Sequence, residues 1–434
     1  MHGLAVRASP ASPIAIGGVA LIAAALTIVF ALLVAPAWEP ALDDQVQYQA
    51  LAHGLADRGE YTRATAGEPF IAEPLRAPGY PLFLAALCRT AGCDHWRIAI
   101  AQAALSAGTV VLVVALARRV VSDRRALLAG ALVGLYPTFA YFAALALSET
   151  LATFLLLAST VLLLRTSDRP TVGRGLAAGL AFGVLAATRW LFLPFIAVAV
   201  AALALARRAG PRPLAALVLG WALVLAPTVA YSEATLGRAL PAGFGTQLWL
   251  GYFQARDPAT LDAVELDAVE RGRGRIAAFV AETDRLAQPR GFIALDDALR
   301  ADALALIAHA PGPWVARAAQ RSLELWLGDR PYPHAATAEP SLVLQAGLAT
   351  VQLLLLVAGL AGAVARARRR DPFGVAAALV VVVLWALSVP LWTEARFSLP
   401  VKPLLVIGAI SVLASMSRGA RSNGLRPARH ERPI

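Results

Sequence analysis

The chain has 434 residues, of which 58% are hydrophobic and only 15% charged, with a formal net charge of +11. Soluble globular domains carry about 25% charged residues, so the composition points away from a soluble domain and toward a membrane. The basic excess does not point to nucleic acid, because most arginines sit in short turns between apolar runs, where they read as orientation signals.

Ten apolar spans are predicted, at about 14–36, 98–117, 126–144, 150–165, 173–188, 190–206, 213–231, 342–365, 374–391 and 399–416. A helix needs roughly 18–20 apolar residues to cross about 30 Å of hydrocarbon. Strands of alternating hydrophobicity are absent, which disfavours a β-barrel and leaves helices. The expected fold is therefore all-α, a polytopic helical bundle. The first run, Pro13–Trp38, is too long for a signal peptide and is followed by further spans, so it is expected to be retained.

The turns sort by charge. ARRVVSDRR (Ala117–Arg125), RTSDRPTVGR (Arg165–Arg174), RRAGPR (Arg207–Arg212), RARRRD (Arg366–Asp371) and the tail from Ser417 are rich in arginine. With the N-terminus in the cytoplasm, all five fall on the cytoplasmic side, as the positive-inside rule requires. The opposite face then receives a first loop at about 37–97 and a long loop at about 232–341. Helical periodicity in LDAVELDAVERGRGRIAAFVAETDRLA and in the stretch from Gly291 to Leu327 predicts surface helices in the long loop. Three regions are expected: a transmembrane module at 1–231 that includes the first outer loop, the outer helical region at 232–341, and the last helices with a basic tail at 342–434.

The same topology gathers ionisable residues on the outer side. Asp43 and Asp44 follow the first span, Arg76 lies in RAPGYP, Glu149 starts the fourth span, Arg189 lies in ATRWLFLPF, and Glu394 and Arg396 lie in WTEARFSLP. Charges at a bundle rim are costly to desolvate and usually have partners or a function. Each also has a structural reading. One of the two aspartates could cap the following helix. Glu149 could pair with Arg189, Arg396 could anchor at the interface beside Trp392, and Arg76 could snorkel to headgroups. Cys88 and Cys93, in CRTAGC, could pair on an oxidising face, but their spacing does not decide it.

RAPGYP is harder to set aside. Its prolines favour a turn, and it opens an apolar segment too short to span, expected as an interfacial or re-entrant helix. That places Arg76 at headgroup depth, and a guanidinium suits a phosphate because its planar fork donates two parallel hydrogen bonds. A carboxylate beside phosphate-binding cations fits glycosyl transfer from a lipid-phosphate sugar. The carboxylate takes the proton of an acceptor hydroxyl, and arginines or a divalent ion stabilise the departing phosphate.

DQVQYQALAHGLADRGEYT followed by EPLRAPGYPLFLAAL resembles the first outer loop of the GT-C glycosyltransferases, and most closely the bacterial protein O-mannosyltransferase and aminoarabinose transferase group. That pattern has Asp, three residues, then Tyr or Phe, just after the first helix. Asp44 and Tyr48 match it, and Asp43 is one residue early. The resemblance implies Asp44 as the catalytic carboxylate, with Asp43 and Glu149 as supporting acids. Arg76 and Tyr80 of RAPGYP, with Arg189 and Arg396, are implied for the donor phosphate. Leu75 stands where the aminoarabinose transferases carry an acid, so Glu73 is a displaced substitute at best. Asp44 and Glu149 are also candidate ligands of a divalent cation, Mg or Mn. No nucleotide-sugar signature is present, and no nucleotide cofactor is expected.

The resemblance implies an inverting enzyme of the bacterial plasma membrane, and the arginine turns place both termini in the cytoplasm and the site on the periplasmic or extracellular face. The predicted partners are the bilayer, a polyprenyl-phosphate sugar donor and an envelope acceptor. The alternatives are a multispan transporter or lipid flippase, which would want charges or broken helices near mid-membrane, and a scaffold protein. The sugar, the acceptor and the oligomeric state are not written in the sequence.

Overall fold

The computed structural model describes residues 12–34, 43–65, 67–239, 241–254, 258–282, 288–328 and 342–423. Among them the only β pairing is one isolated bridge, between Thr62 and Ala72. The helices in chain order are α1 (Pro13–Val34), α2 (Asp43–His53), α3 (Gly79–Thr90), α4 (His95–Ala117), α5 (Asp123–Gly134), α6 (Pro137–Ala144), α7 (Glu149–Asp168), α8 (Val172–Thr188), α9 (Phe195–Leu205), α10 (Pro211–Leu236), α11 (Phe244–Phe253), α12 (Ala263–Ala281), α13 (Gln288–His309), α14 (Pro311–Leu327), α15 (Leu342–Ala367), α16 (Pro372–Ser388) and α17 (Lys402–Asn423).

All ten predicted spans fall on helices, but not all reach full length. Among the described residues, α1, α4, α7, α10, α15 and the segment Ala395–Met416, a 3-10 stretch running into α17, are long and apolar enough to cross a bilayer. A seventh span is broken: α5 and α6 meet at 49°. Pro137 opens α6 and has no N–H with which to continue the α5 ladder, which accounts for the break. The remaining three, α8, Trp190–Leu205 and α16, are apolar but only 10–17 residues long. By length and composition, six helices among the described residues qualify as candidate spans, or seven with the bent pair, against the ten or so apolar spans expected.

The helices pack closely where small residues allow it. Gly175, Gly179 and Gly183 line one face of α8, and a Cβ at Gly183 would lie 2.7 Å from the Cβ of Val224 on α10. Such spacing of small residues is how helices approach in lipid, where no hydrophobic force drives them together. The largest core cluster runs through α4, α5, α7, α8, α9, α16 and α17. A second one, with Tyr48, Tyr80, Leu84, Tyr141, Phe142, Leu147 and Leu399, ties α2 and α3 to the α6–α7 region. The first loop is thus part of the bundle.

The long loop carries α12, α13 and α14 in the stretches where periodicity predicted them, and α11 in a stretch where no helix was predicted. Leu325 and Trp326 of α14 enter the main core. Cys88 and Cys93 form a disulfide that fastens the end of α3 to the turn before α4. Gly92 inside that turn has φ +92°, a conformation that favours glycine.

Candidate functional site

The site begins at a gap in the helices. Between α6 and α7, residues 145–148 are fully buried yet not helical, so their backbone groups need partners from elsewhere. Gln45 of α2 supplies one: its Oε1 accepts from Ala146 N–H at 2.9 Å. Gln102 of α4 supplies two more, donating from Nε2 to the carbonyls of Ala143 and Leu145 at 3.1 and 2.5 Å. Two glutamines therefore allow α7 to start inside the bundle, with Glu149 as its first residue. A carboxylate there also meets the positive end of the helix dipole.

The RAPGYP turn is held from below. Glu73 is buried, and its Oε1 accepts from the backbone N–H groups of both Leu75 and Arg76 at 2.9 Å. Its other oxygen lies 2.8 Å from Arg63 Nε. Tyr61 donates to the carbonyl of Arg76 at 2.7 Å. Glu73 is thus the brace of the turn. At Gly79 the turn touches α8: a Cβ would lie 2.7 Å from Ala187 O. Only glycine permits that approach, and it brings the turn to within two residues of Arg189.

Five separate stretches then meet. Arg76 Nη2 donates to Asp44 Oδ1 at 2.5 Å, and its Nε donates to Gln47 Oε1 at 2.9 Å. Arg396 Nη2 donates to Asp44 Oδ2 at 3.0 Å, from 352 residues further along the chain. Arg396 also lies 3.7 Å from Glu149 Oε1, and Arg189 Nη1 lies 2.7 Å from the same oxygen. Glu394 completes the set, 2.6 Å from Arg396 Nε. Both the Arg189 and Arg396 guanidiniums lie over the Phe397 ring, and that of Arg76 lies over Tyr48. The described side chains balance three carboxylates against three guanidiniums.

Exposure grades across the network. The side chain of Asp44 is 24% accessible and that of Arg76 17%, while Glu149 is 2% accessible. Glu394 is 35% accessible, so Glu394, Asp44 and Arg76 form the open edge, and Glu149 the closed end. Burial pushes the Asp44 carboxyl up, but the charges and hydrogen bonds of Arg76 and Arg396 outweigh it and hold the group below its ordinary value of 3.8. Glu149 Oε2 has no hydrogen-bond partner, and Glu149 lines a partly open cavity with Thr27, Ser106, Thr109, Thr150 and Thr153.

Asp44, Glu149, Arg76, Arg189 and Arg396, all expected at one site, are brought together. Tyr80 is not at the open edge. It is fully buried, packs edge-on against Tyr48 with ring centroids 4.9 Å apart, and donates to Gln102 Oε1 at 3.4 Å. It supports the ring over which Arg76 lies. Asp43 opens α2, but its side chain lies outside the described residues. Among the described residues no group of three or more His, Cys, Asp or Glu side chains is arranged to hold a metal ion. Asp44 and Glu149 face guanidiniums, which would repel a cation placed between them. Sequence reasoning missed Gln45, Gln47 and Gln102. A glutamine inside the apolar α4 was visible as an oddity, but its partner was not.

The fold and site together define a multi-pass helical membrane protein with a charge-balanced network at one end of its bundle. Residues 75–231 match the family model described as dolichyl-phosphate-mannose-protein mannosyltransferase. Among solved structures, the chain is similar to the oligosaccharyltransferase AglB of Archaeoglobus fulgidus, in complex with an inhibitory peptide and a dolichol-phosphate. The identity is 16%, over 96% of this chain and 52% of that one, with a TM-score of 0.50. The Archaeoglobus fulgidus oligosaccharyltransferase tethered with an acceptor peptide gives 14% identity over 96% of this chain and 51% of that one, TM-score 0.50. ArnT from Cupriavidus metallidurans, bound to undecaprenyl phosphate, gives 16% identity over 93% and 81%, TM-score 0.39. The chain thus spans about half the length of the archaeal oligosaccharyltransferase and shares its fold over that span. No curated protein matches the chain in sequence. The resemblance to GT-C glycosyltransferases read from the sequence is borne out.

Proposed function

We propose that the chain is a membrane glycosyltransferase that moves a monosaccharide from a polyprenyl-phosphate carrier to an acceptor hydroxyl. The observation that carries this reading is Asp44 held between Arg76 and Arg396 at the open edge of the network. The mannosyltransferase description of the matching family model supports it, as does the dolichol-phosphate bound by the archaeal relative in fold.

In this reading the donor phosphate takes hydrogen bonds from Arg76 and Arg396, which in its absence serve Asp44. As those donors turn to the phosphate, Asp44 loses part of the counter-charge that depresses its pKa and becomes a better base. The acceptor hydroxyl attacks the anomeric carbon from the face opposite the phosphate. Its proton passes to Asp44, the bond from the anomeric carbon to the phosphate oxygen breaks, and the polyprenyl phosphate leaves with the bonding pair. Arg76 and Arg396 stabilise the charge that develops on it. One displacement inverts the anomeric centre. Glu149 keeps Arg189 and Arg396 in place from the closed end, and no step runs through a metal ion.

The arginine-rich turns support a cytoplasmic location for both termini in a bacterial plasma membrane, with the site on the periplasmic or extracellular side. The acceptor is an envelope lipid, glycan or protein on that side. The test is turnover of a polyprenyl-phosphate monosaccharide by purified protein and its Asp44→Asn variant. Removing a general base costs about 10²–10⁴-fold in rate. The expected result is that loss with folding and donor binding retained; a variant as active as wild type would remove Asp44 from the chemistry.

A further inference from the structure

Outside the network, Arg321 on α14, 2% exposed, is a buried charge with no opposite partner among the described residues. Its Nε donates to Val389 O at 2.5 Å, its Nη1 donates to Gly251 O, and its Nη2 has no partner. Burial, and then the nearby charge of Arg317, push its pKa down to about 10, so it stays charged at neutral pH. An unpaired buried guanidinium is costly, and something must offset it.

Two helix ends do so. Val389 is the C-cap of α16, and Gly251 lies in the last turn of α11. Carbonyls there lack partners within the helix and carry the negative end of its dipole. Arg321 answers both at once and ties α11 and α16 to α14.

What this tie holds is the segment that leads to Arg396. Trp392 N–H donates to Gln247 O of α11 at 2.8 Å. Thr393 N–H donates to Gln254 Oε1 at 2.9 Å, and Gln254 Nε2 returns a bond to Thr393 O at 2.6 Å. Gly251 lets α11 lie directly on the backbone of Leu391 and Trp392, where a Cβ would collide. The next residue is Glu394, which accepts from the Trp392 indole at 3.2 Å and holds Arg396.

We propose that Arg321 is a positioning residue of the rim site: it locks residues 389–394 against α11 so that Glu394 presents Arg396 to Asp44 and Glu149. The long loop then serves as a brace for the phosphate clamp, whatever acceptor it also meets. The binding readout of this inference rests on the reading of the rim as a phosphate site, and the exchange readout does not.

The experiment uses full-length protein in lipid nanodiscs, with dolichyl phosphate as probe. Amide hydrogen exchange of the peptide covering 389–396 is compared between wild type and Arg321→Gln, together with probe affinity in wild-type and Arg396→Ala backgrounds. The expected result is faster exchange confined to 389–396, and a loss of affinity of about tenfold that disappears in the Arg396→Ala background, as coupling requires. Unchanged exchange overturns the proposal, and so does an equal loss of affinity in both backgrounds, which marks a general structural effect. If Arg321→Gln fails to fold, Arg321→Lys carries the same cycle, since it keeps the charge and can reach only one of the two carbonyls at a time. If wild type does not bind the probe, the phosphate reading fails, and the exchange result alone decides the positioning role.

Discussion

Arginine–carboxylate pairs occur at both ends of α7, and their surroundings differ. At the end with the arginine-rich turns, Arg119 meets Asp168 with side chains 34% and 50% accessible. Arg118 meets Asp123 close by. At the other end, Glu149 is 2% accessible and Arg189 14%. The first pairs join neighbouring turns in contact with water. The second set joins α2, the RAPGYP turn, the start of α7, the end of α8 and the start of the last span. The same chemistry therefore has two meanings. Exposed pairs contribute little to stability and mark orientation. A buried network is expensive to form, and in our reading it is kept for the chemistry that needs converging cations beside a base.

The comparison breaks most visibly at Glu149. Glu149→Ala leaves Arg189 and Arg396 short of a counter-charge inside the bundle, and removal of one partner of a buried pair costs about 3–5 kcal/mol. A large fall in thermal stability of the detergent-solubilised protein is expected, together with loss of turnover. Stability equal to wild type would show that the pair is hydrated and that its depth has been misjudged. At the other end, Arg119→Ala should change stability by less than about 1 kcal/mol, measured in the same unfolding assay, and leave turnover intact. Similar losses for the two variants would erase the distinction between the ends.

Much of this was legible in the chain itself. Apolar runs and arginine turns are properties of composition, and one parity assignment put Asp44, Arg76, Glu149, Arg189 and Arg396 on a common side before any contact was known. The pairings were not legible, because they depend on how helices far apart in sequence pack. Asp44 is shared between Arg76 and Arg396, and nothing local announces a bond across 352 residues. The inward turn of the Tyr80 ring to Gln102 is likewise not written in its motif. Nor was it legible that the Glu73 side chain closes its own turn.

The central claim is that the open edge of this network grips a prenyl-linked phosphate. The most direct measurement is the affinity of dolichyl phosphate for the purified protein, wild type against Arg76→Ala. Hydrogen bonds to charged groups contribute about 1.5–3 kcal/mol, so the account predicts an affinity lower by roughly 10- to 100-fold in the variant. Equal affinity in the two proteins would contradict it.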